Sequence, residues 1–257
     1  MNTKRIVLIL IAIAFLLIAV FSLVGLFAIK KVEVDFAVSE DREVESIQTL
    51  LDGYNGKNLM FLNIDDVKDT LKGYHYLEVL SVDKQYPNVL KVSLKERREV
   101  YYVDFDGKTF VMNENGFVLA QKDYVESRNV IKLTLGDGVS ITEIKEGSVI
   151  KTDNDALLSA VFSMAKSVNL TDCIKSISVK KIDGYDTVYD TVFNSFTGVE
   201  ICIEDTLVNG EDKVSKAFTV YDEYLTDYQK TYGAIQAYLQ QDGQYKVTYN
   251  QEFIDIT

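Results

Sequence analysis

The 257-residue sequence has no tryptophan, one proline, one histidine and two cysteines. Each scarcity removes a class of chemistry. With His75 alone, an H-E-x-x-H zinc helix cannot be built, and no G-x-S-x-G elbow is present to supply a serine nucleophile. His75 follows Gly73 between a helix and a strand and reads as a turn residue. Cys173 and Cys202 can pair outside the cytoplasm, but two cysteines define no framework, so the pairing stays open. Positive charge is also in short supply. Lys and Arg number 27 against 39 Asp and Glu, and two of the basic residues precede the N-terminal apolar run while every acidic one follows it, leaving 25 against 39, a formal −14, beyond that run. A surface so charged repels phosphates, which disfavours nucleic acid. Arg97-Arg98, framed by Glu96 and Glu99, reads as a solvated strand end.

Carboxylates are too abundant for adjacency to mean anything. Asp104, Asp106 and Gly107, or Asp153 and Asp155, do not extend into a 12-residue calcium loop, and turn or capping roles suit them better. Pairs of acids in such a chain give no support to glycosidase chemistry. Asn169-Leu170-Thr171 is a glycosylation sequon by pattern only. No catalytic residue, cofactor site or metal site is expected.

What the sequence does hold is an apolar run. Residues 6–29 are uncharged and flanked by Lys4-Arg5 and Lys30-Lys31. At about 1.5 Å per residue, such a helix crosses a hydrocarbon core of roughly 30 Å. A cleaved signal would have a shorter apolar region and an A-x-A site, which is missing here. The expectation is a single span with residues 1–5 cytoplasmic and the bulk outside, although the flanking charges nearly tie under the positive-inside rule.

Beyond the span, Val32 to Val38 alternates as a half-buried strand. A helical stripe follows the turn-like Ser39-Glu40-Asp41, with Val44, Ile47, Leu50, Leu51 and Tyr54 on one face. Asn63 then caps a short helix starting at Ile64, with Val67 and Leu71 inward and Gly73 as its stop. Strands at Leu77 to Val82 and Val89 to Leu94 flank a turn set by Pro87. Asp106-Gly107 and Asn115-Gly116 punctuate a three-stranded meander, Val100 to Val103, Thr109 to Met112 and Phe117 to Ala120. A helix is expected from Asp155 to Val168, with Thr152 and Asp155 resembling a capping box. Strands follow near Ile174 to Ile182, Thr187 to Ser195 and Val199 to Ile203. A last helix is predicted over Lys213 to Gln229, then strands over Ala234 to Leu239 and Gln244 to Asn250.

Sixteen tyrosines supply aromatic area, and seven of them fall in the last 40 residues. Tyr221, Tyr224 and Tyr228 recur at helical spacing, while Tyr245, Val247 and Tyr249 share one face of the last strand. Tyrosines with an exposed edge suit protein-binding surfaces, so these six residues are the candidate partner site.

The order of anchor, strand, two helices and the segment Val79 to Arg98 resembles the POTRA domain of the FtsQ/DivIB cell-division family. The Tyr86-Pro87 turn, the stretch Gly56-Lys57-Asn58-Leu59-Met60 and the strand end Lys95-Glu96-Arg97 carry the likeness. The strand Val100 to Asp104 and the turn at Gly107 to Phe110 continue into what resembles that family's β-rich domain. Two departures stand out: Glu99-Val100 occupy a place where the family often has proline, and Ala234-Ile235-Gln236-Ala237 is a divergent version of a segment near the family's end. The resemblance implies an α+β chain with a transmembrane helix at 6–29, a POTRA-like β-α-α-β-β domain at 30–98, a β-rich domain with flanking helices at 99–250 and a tail at 251–257. It also implies a non-enzymatic, single-pass divisome scaffold at the septum that links small bitopic coiled-coil proteins of the FtsB/DivIC and FtsL type and helps regulate septal peptidoglycan synthesis. The alternatives are a cell-surface enzyme or ligand-binding protein, and a secretion accessory that uses its POTRA module to bind peptides.

Overall fold

The computed structural model describes residues 10–18, 25–36, 44–125, 130–136, 138–168, 170, 173–240 and 243–251. They form two compact units that divide between Arg97 and Arg98. The expected segment 6–29 is helical at residues 10–18 and 25–26, and residues 6–9 and 19–24 lie outside the description. No helix among the described residues is long and apolar enough to cross a membrane. Also outside it are the cytoplasmic tail 1–5, the turn at 39–41, Asn169 and Thr171 of the sequon, and residues 252–257 of the C-terminal tail.

The first unit holds β1 (Lys31–Phe36), α1 (Val44–Asp52), α2 (Ile64–Leu71), β2 (Leu77–Gln85) and β3 (Val89–Glu96). Its three-stranded sheet has the order β1-β3-β2. β3 lies in the middle, parallel to β1 and antiparallel to β2. Alternation on β3 sends Leu90, Val92 and Leu94 into a core shared with Ile47 and Leu51 of α1 and Val67 and Leu71 of α2. The Asn63 side chain accepts the Asp65 N–H and so caps α2 as its position predicts. Arg97 is not a free solvated end: its guanidinium donates to the carbonyls of His75 (3.1 Å) and Leu77, fastening the exit of β3 to the entry of β2.

The second unit is built on a nine-stranded sheet ordered β14-β13-β12-β11-β10-β7-β4-β5-β6. The meander is β4 (Tyr101–Phe105), β5 (Lys108–Met112) and β6 (Val118–Lys122). Asp106 and Gly107 both take positive φ, 50° and 72°, as a tight two-residue hairpin turn requires. β7 (Ile131–Leu135), β8 (Ile141–Glu143) and β9 (Lys151–Thr152) fill a stretch for which no element is predicted. α3 (Asp155–Ser167) starts at Asn154, whose side chain accepts the Leu157 N–H, so the cap lies two residues beyond the predicted Thr152. Thr152 instead donates its own N–H to the Asp155 carboxylate at 2.8 Å.

β10 (Ile174–Lys181), β11 (Tyr189–Ser195) and β12 (Glu200–Ile203) continue the sheet. α4 (Gly210–Thr219) then crosses over to β13 (Ala234–Leu239), which lies parallel to β12, and β14 (Tyr245–Asn250) returns antiparallel. One core takes Tyr101, Leu133, Ile177, Phe193 and Ile235 from the strands, Val161 and Phe162 from α3, and Val214 and Phe218 from α4. Tyr101 stacks on Phe162 with ring centroids 5.1 Å apart, and Phe193 meets Phe218 edge to face at 5.9 Å. The predicted helix over 213–229 does not form as one piece. α4 passes into a single wide π-type turn at Val220–Tyr224, Leu225 is extended, and a separate short turn covers Gln229–Thr231. Cys173 and Cys202 are not joined in a disulfide, and the Cys173 thiol donates to the Leu170 carbonyl at 3.8 Å.

Candidate functional site

The two margins of the nine-stranded sheet differ. On the β6 side the chain covers its own edge: Val118 N–H donates to the Ser148 carbonyl (2.9 Å), Gly147 N–H donates back to Val118 (2.9 Å), and Gln121 N–H donates to the Glu146 carboxylate (2.7 Å). The turn at 145–148 therefore takes the outward amide and carbonyl of Val118 and the outward amide of Gln121. On the β14 side, β13 is the only pairing strand among the described residues.

Hydrogen bonding fixes which residues of β14 face outward. Gln240 N–H donates to the Gln244 carbonyl at 2.8 Å, and the register Gln236↔Thr248 and Tyr238↔Lys246 lies in phase with that pair. In an antiparallel ladder, bonded pairs recur at every second residue. Lys246, Thr248 and Asn250 therefore bond to β13, and the amides and carbonyls of Tyr245, Val247 and Tyr249 point to the bare side. The far side of β13 agrees, since the carbonyls of Gly233 and Ala237 accept from Glu200 and Glu204 at β12.

Side chains hold this strand firmly from behind. Val247 and Tyr249 pack against the core. The Tyr249 hydroxyl donates to the carbonyls of Gln229 (2.9 Å) and Tyr232 (3.0 Å), tying the 229–232 turn to β14, and burial together with Tyr232 raises its pKa. Gly233, at φ +91°, has no room for a side chain: a Cβ there would lie 2.5 Å from the Asn250 carbonyl. Lys216 of α4 lies over the Tyr245 ring at 4.9 Å.

The other three predicted residues separate. Tyr221 is buried, its hydroxyl 3.0 Å from Thr197 Oγ1 and its ring under Lys230 at 5.0 Å. Tyr224 and Tyr228 are each 73% exposed, and Tyr228 meets Tyr232 edge to face at 5.2 Å. So Tyr221 serves the core, while Tyr224 and Tyr228 stand free. The structure places Tyr245, Val247 and Tyr249 together on the bare strand as predicted from alternation.

Behind α4 lies a cluster the sequence did not disclose. Lys213 is fully buried, and its ammonium donates to the carbonyls of Glu204 and Asp205, the latter at 2.8 Å. Asp190 accepts the Asp205 N–H at 2.9 Å. Burial holds Lys213 below the ordinary lysine range, lifts the carboxyls of Asp190 and Glu204, and pushes the Cys202 thiol up to about 12. These groups lock the turn between β12 and α4. Among the described residues no set of three or more His, Cys, Asp or Glu could hold a metal ion. Asp104 is engaged by the Thr109 hydroxyl (2.7 Å) and the Lys132 ammonium (2.9 Å).

Residues 27–97 match the POTRA domain of the FtsQ type. The cell division protein DivIB of Clostridium tetani (strain Massachusetts / E88) is 22% identical over 166 residues, 65% of this chain and 60% of that protein. DivIB of Clostridium acetobutylicum is 28% identical over 125 residues, 49% of this chain and 45% of that protein. The chain thus covers less than two thirds of either relative. A solved structure of the major extracytoplasmic domain of the trans isomer of DivIB from Geobacillus stearothermophilus aligns with 51% of this chain and 98% of its own, at 18% identity and a TM-score of 0.32.

Proposed function

We propose that this chain is a member of the FtsQ/DivIB family of cell-division proteins, to which its FtsQ-type POTRA domain and its DivIB relatives point, and that it is a non-enzymatic, single-pass scaffold of the divisome. Residues 6–29 are its anchor, with the N-terminus cytoplasmic and the bulk outside. The anchor reading is supported by residues 10–18, where Leu10, Ile11, Phe15, Leu16 and Ile18 are all exposed, a helix apolar on every side that no other described residues cover. The bare edge of β14 is the docking site. A strand from a small bitopic coiled-coil protein of the FtsB/DivIC or FtsL type adds beside Tyr245, Val247 and Tyr249, bonded through the main chain, with Tyr224 and Tyr228 as further contacts. By holding such proteins at the septum the chain helps regulate peptidoglycan synthesis there.

The contrast between the self-covered β6 margin and the bare β14 margin carries this reading. Exposed edges invite pairing and are usually blunted. This sheet blunts one and leaves the other.

The test is co-purification of the full chain from membranes with small bitopic division proteins, for wild type and Val247→Pro. Proline at 247 deletes an outward N–H and puts its ring on the bare side, so capture should fall at least about tenfold while the fold persists. Undiminished capture would rule out strand addition at β14. Co-purification of an outer-membrane barrel instead would favour a secretion accessory.

A further inference from the structure

We propose that the first unit carries a second membrane-contact surface, made of the loop 57–61 and the tip of the β2–β3 hairpin, that rests on anionic phospholipid headgroups; this rests on the anchor reading above. Three segments meet there. Leu59 N–H donates to the Phe27 carbonyl (2.7 Å), Ile29 N–H to Lys57 (2.8 Å), and Lys30 N–H to Asn88 (2.9 Å). The Lys84 ammonium donates to the Met60 carbonyl at 3.3 Å, and Phe27 packs edge to face on Tyr86 at 5.8 Å.

No spacer separates this surface from the apolar run. Leu26 is the last helical residue there, and Ile29 is already buried in the core of the unit. Three residues of chain reach at most about 10 Å. The headgroup layer is roughly 5–7 Å deep on each side, so a loop bonded to Phe27 and Ile29 lies within or against it.

The side chains are those of an interface. Phe61 is 82% exposed, Tyr86 58%, Met60 50% and Leu26 50%, a contiguous apolar group on the surface of the unit, which past the apolar run otherwise exposes only Tyr74 and Leu80 of its large apolar side chains among the described residues. Charge agrees. In a chain with 39 acidic residues, segments 25–32, 56–62 and 84–91 contain none, while they contain Lys30, Lys57 and Lys84, besides Lys31 and Lys91, which pair with Glu33 (2.7 Å) and Asp35 (3.6 Å). Lysines beside an aromatic and aliphatic tip suit anionic headgroups over acyl chains.

The chain lacks tryptophan, so a single introduced one reports its own surroundings. Phe61→Trp, at an exposed site, and Phe15→Trp, in the apolar run, are each made in the full chain and reconstituted in vesicles of phosphatidylglycerol or phosphatidylcholine carrying brominated acyl chains. The tryptophan at 61 should lose about half its emission to bromine placed near the headgroup, more in phosphatidylglycerol than in phosphatidylcholine, and the one at 15 should be quenched by bromine placed deep. Lys57→Gln with Lys84→Gln should bring the phosphatidylglycerol signal down to the phosphatidylcholine level. Deep quenching at 15 with water-like, unquenched emission at 61 overturns this surface and leaves the anchor standing. A blue-shifted but unquenched tryptophan at 61 overturns it in favour of protein cover. Equal quenching at 61 in both lipids overturns the assignment to anionic headgroups. No quenching at 15 overturns the anchor, and the surface with it.

Discussion

Lys213 binds two main-chain carbonyls in a site where water cannot replace it. Lys213→Met keeps the aliphatic stem, leaves those carbonyls unpaired and removes the cation beside Asp190 and Glu204. The variant should lose about 2–4 kcal/mol, read by denaturant unfolding of the chain in detergent. Periodicity placed Lys213 at the start of a helix, where lysine is normally solvated. Its partners come from eight and nine residues earlier in the chain, so no local pattern marks it. Asp104 makes the opposite case: Asp106-Gly107 forms the turn its sequence marks, and Asp104 lies in β4 just before it. Thr109 and Lys132 hold its carboxyl below the usual range. A depressed carboxylate contributes stability above its unfolded pKa, about 3.9, and loses it as pH falls through the lower folded value. The melting difference between wild type and Asp104→Asn should therefore be small but constant near neutrality, and shrink and vanish only as pH falls below the unfolded value of about 3.9 and through the lower folded one. Calcium or magnesium should leave the wild-type melting temperature unchanged, because a ligand that prefers the folded state would raise it.

Among the elements, short strands with clean alternation were legible and the long terminal helix was not. The spacing of Tyr221, Tyr224 and Tyr228 continues the α4 stripe past the point where the helix stops. The contrary signal was also in the sequence. Thr226-Asp-Tyr-Gln229 is a capping box: Gln229 accepts the Thr226 N–H at 3.0 Å and Thr226 accepts the Gln229 N–H at 3.3 Å, which starts a new turn after the extended Leu225. β7 passed unread although Ile131, Leu133 and Leu135 alternate, because five residues bounded by no hairpin partner give periodicity little to work on. For β14 the ladder sharpens an expectation that alternation alone leaves at even odds. Thr248→Pro deletes a bond to β13 and turns its ring against that strand, so it should cost about 3 kcal/mol or more, whereas Val247→Pro should melt within a few degrees of wild type. If both unfold alike, the outward parity is wrong.

At the scale of the whole molecule, the order of strands in the nine-stranded sheet was beyond reach of the sequence, because three parallel pairings within it, β7 with β4, β7 with β10 and β12 with β13, join segments far apart in the chain. Topology across the membrane is a direct expectation of the apolar run and the 227 residues after Lys30. Protease added to intact spheroplasts should digest everything beyond Lys31, and a fluorescent fusion should gather at the septum. Protection of the bulk, or an even distribution around the cell, would remove the scaffold reading. The two unlike margins of the sheet also set how many neighbours it can have through strand pairing. With β6 closed by the 145–148 turn, the sheet has a valence of one. A partner strand on β14 uses that valence up, and two copies joining edge to edge would close as a symmetric pair with nothing left to extend. Assemblies made through this sheet therefore end at a fixed stoichiometry instead of growing into a filament.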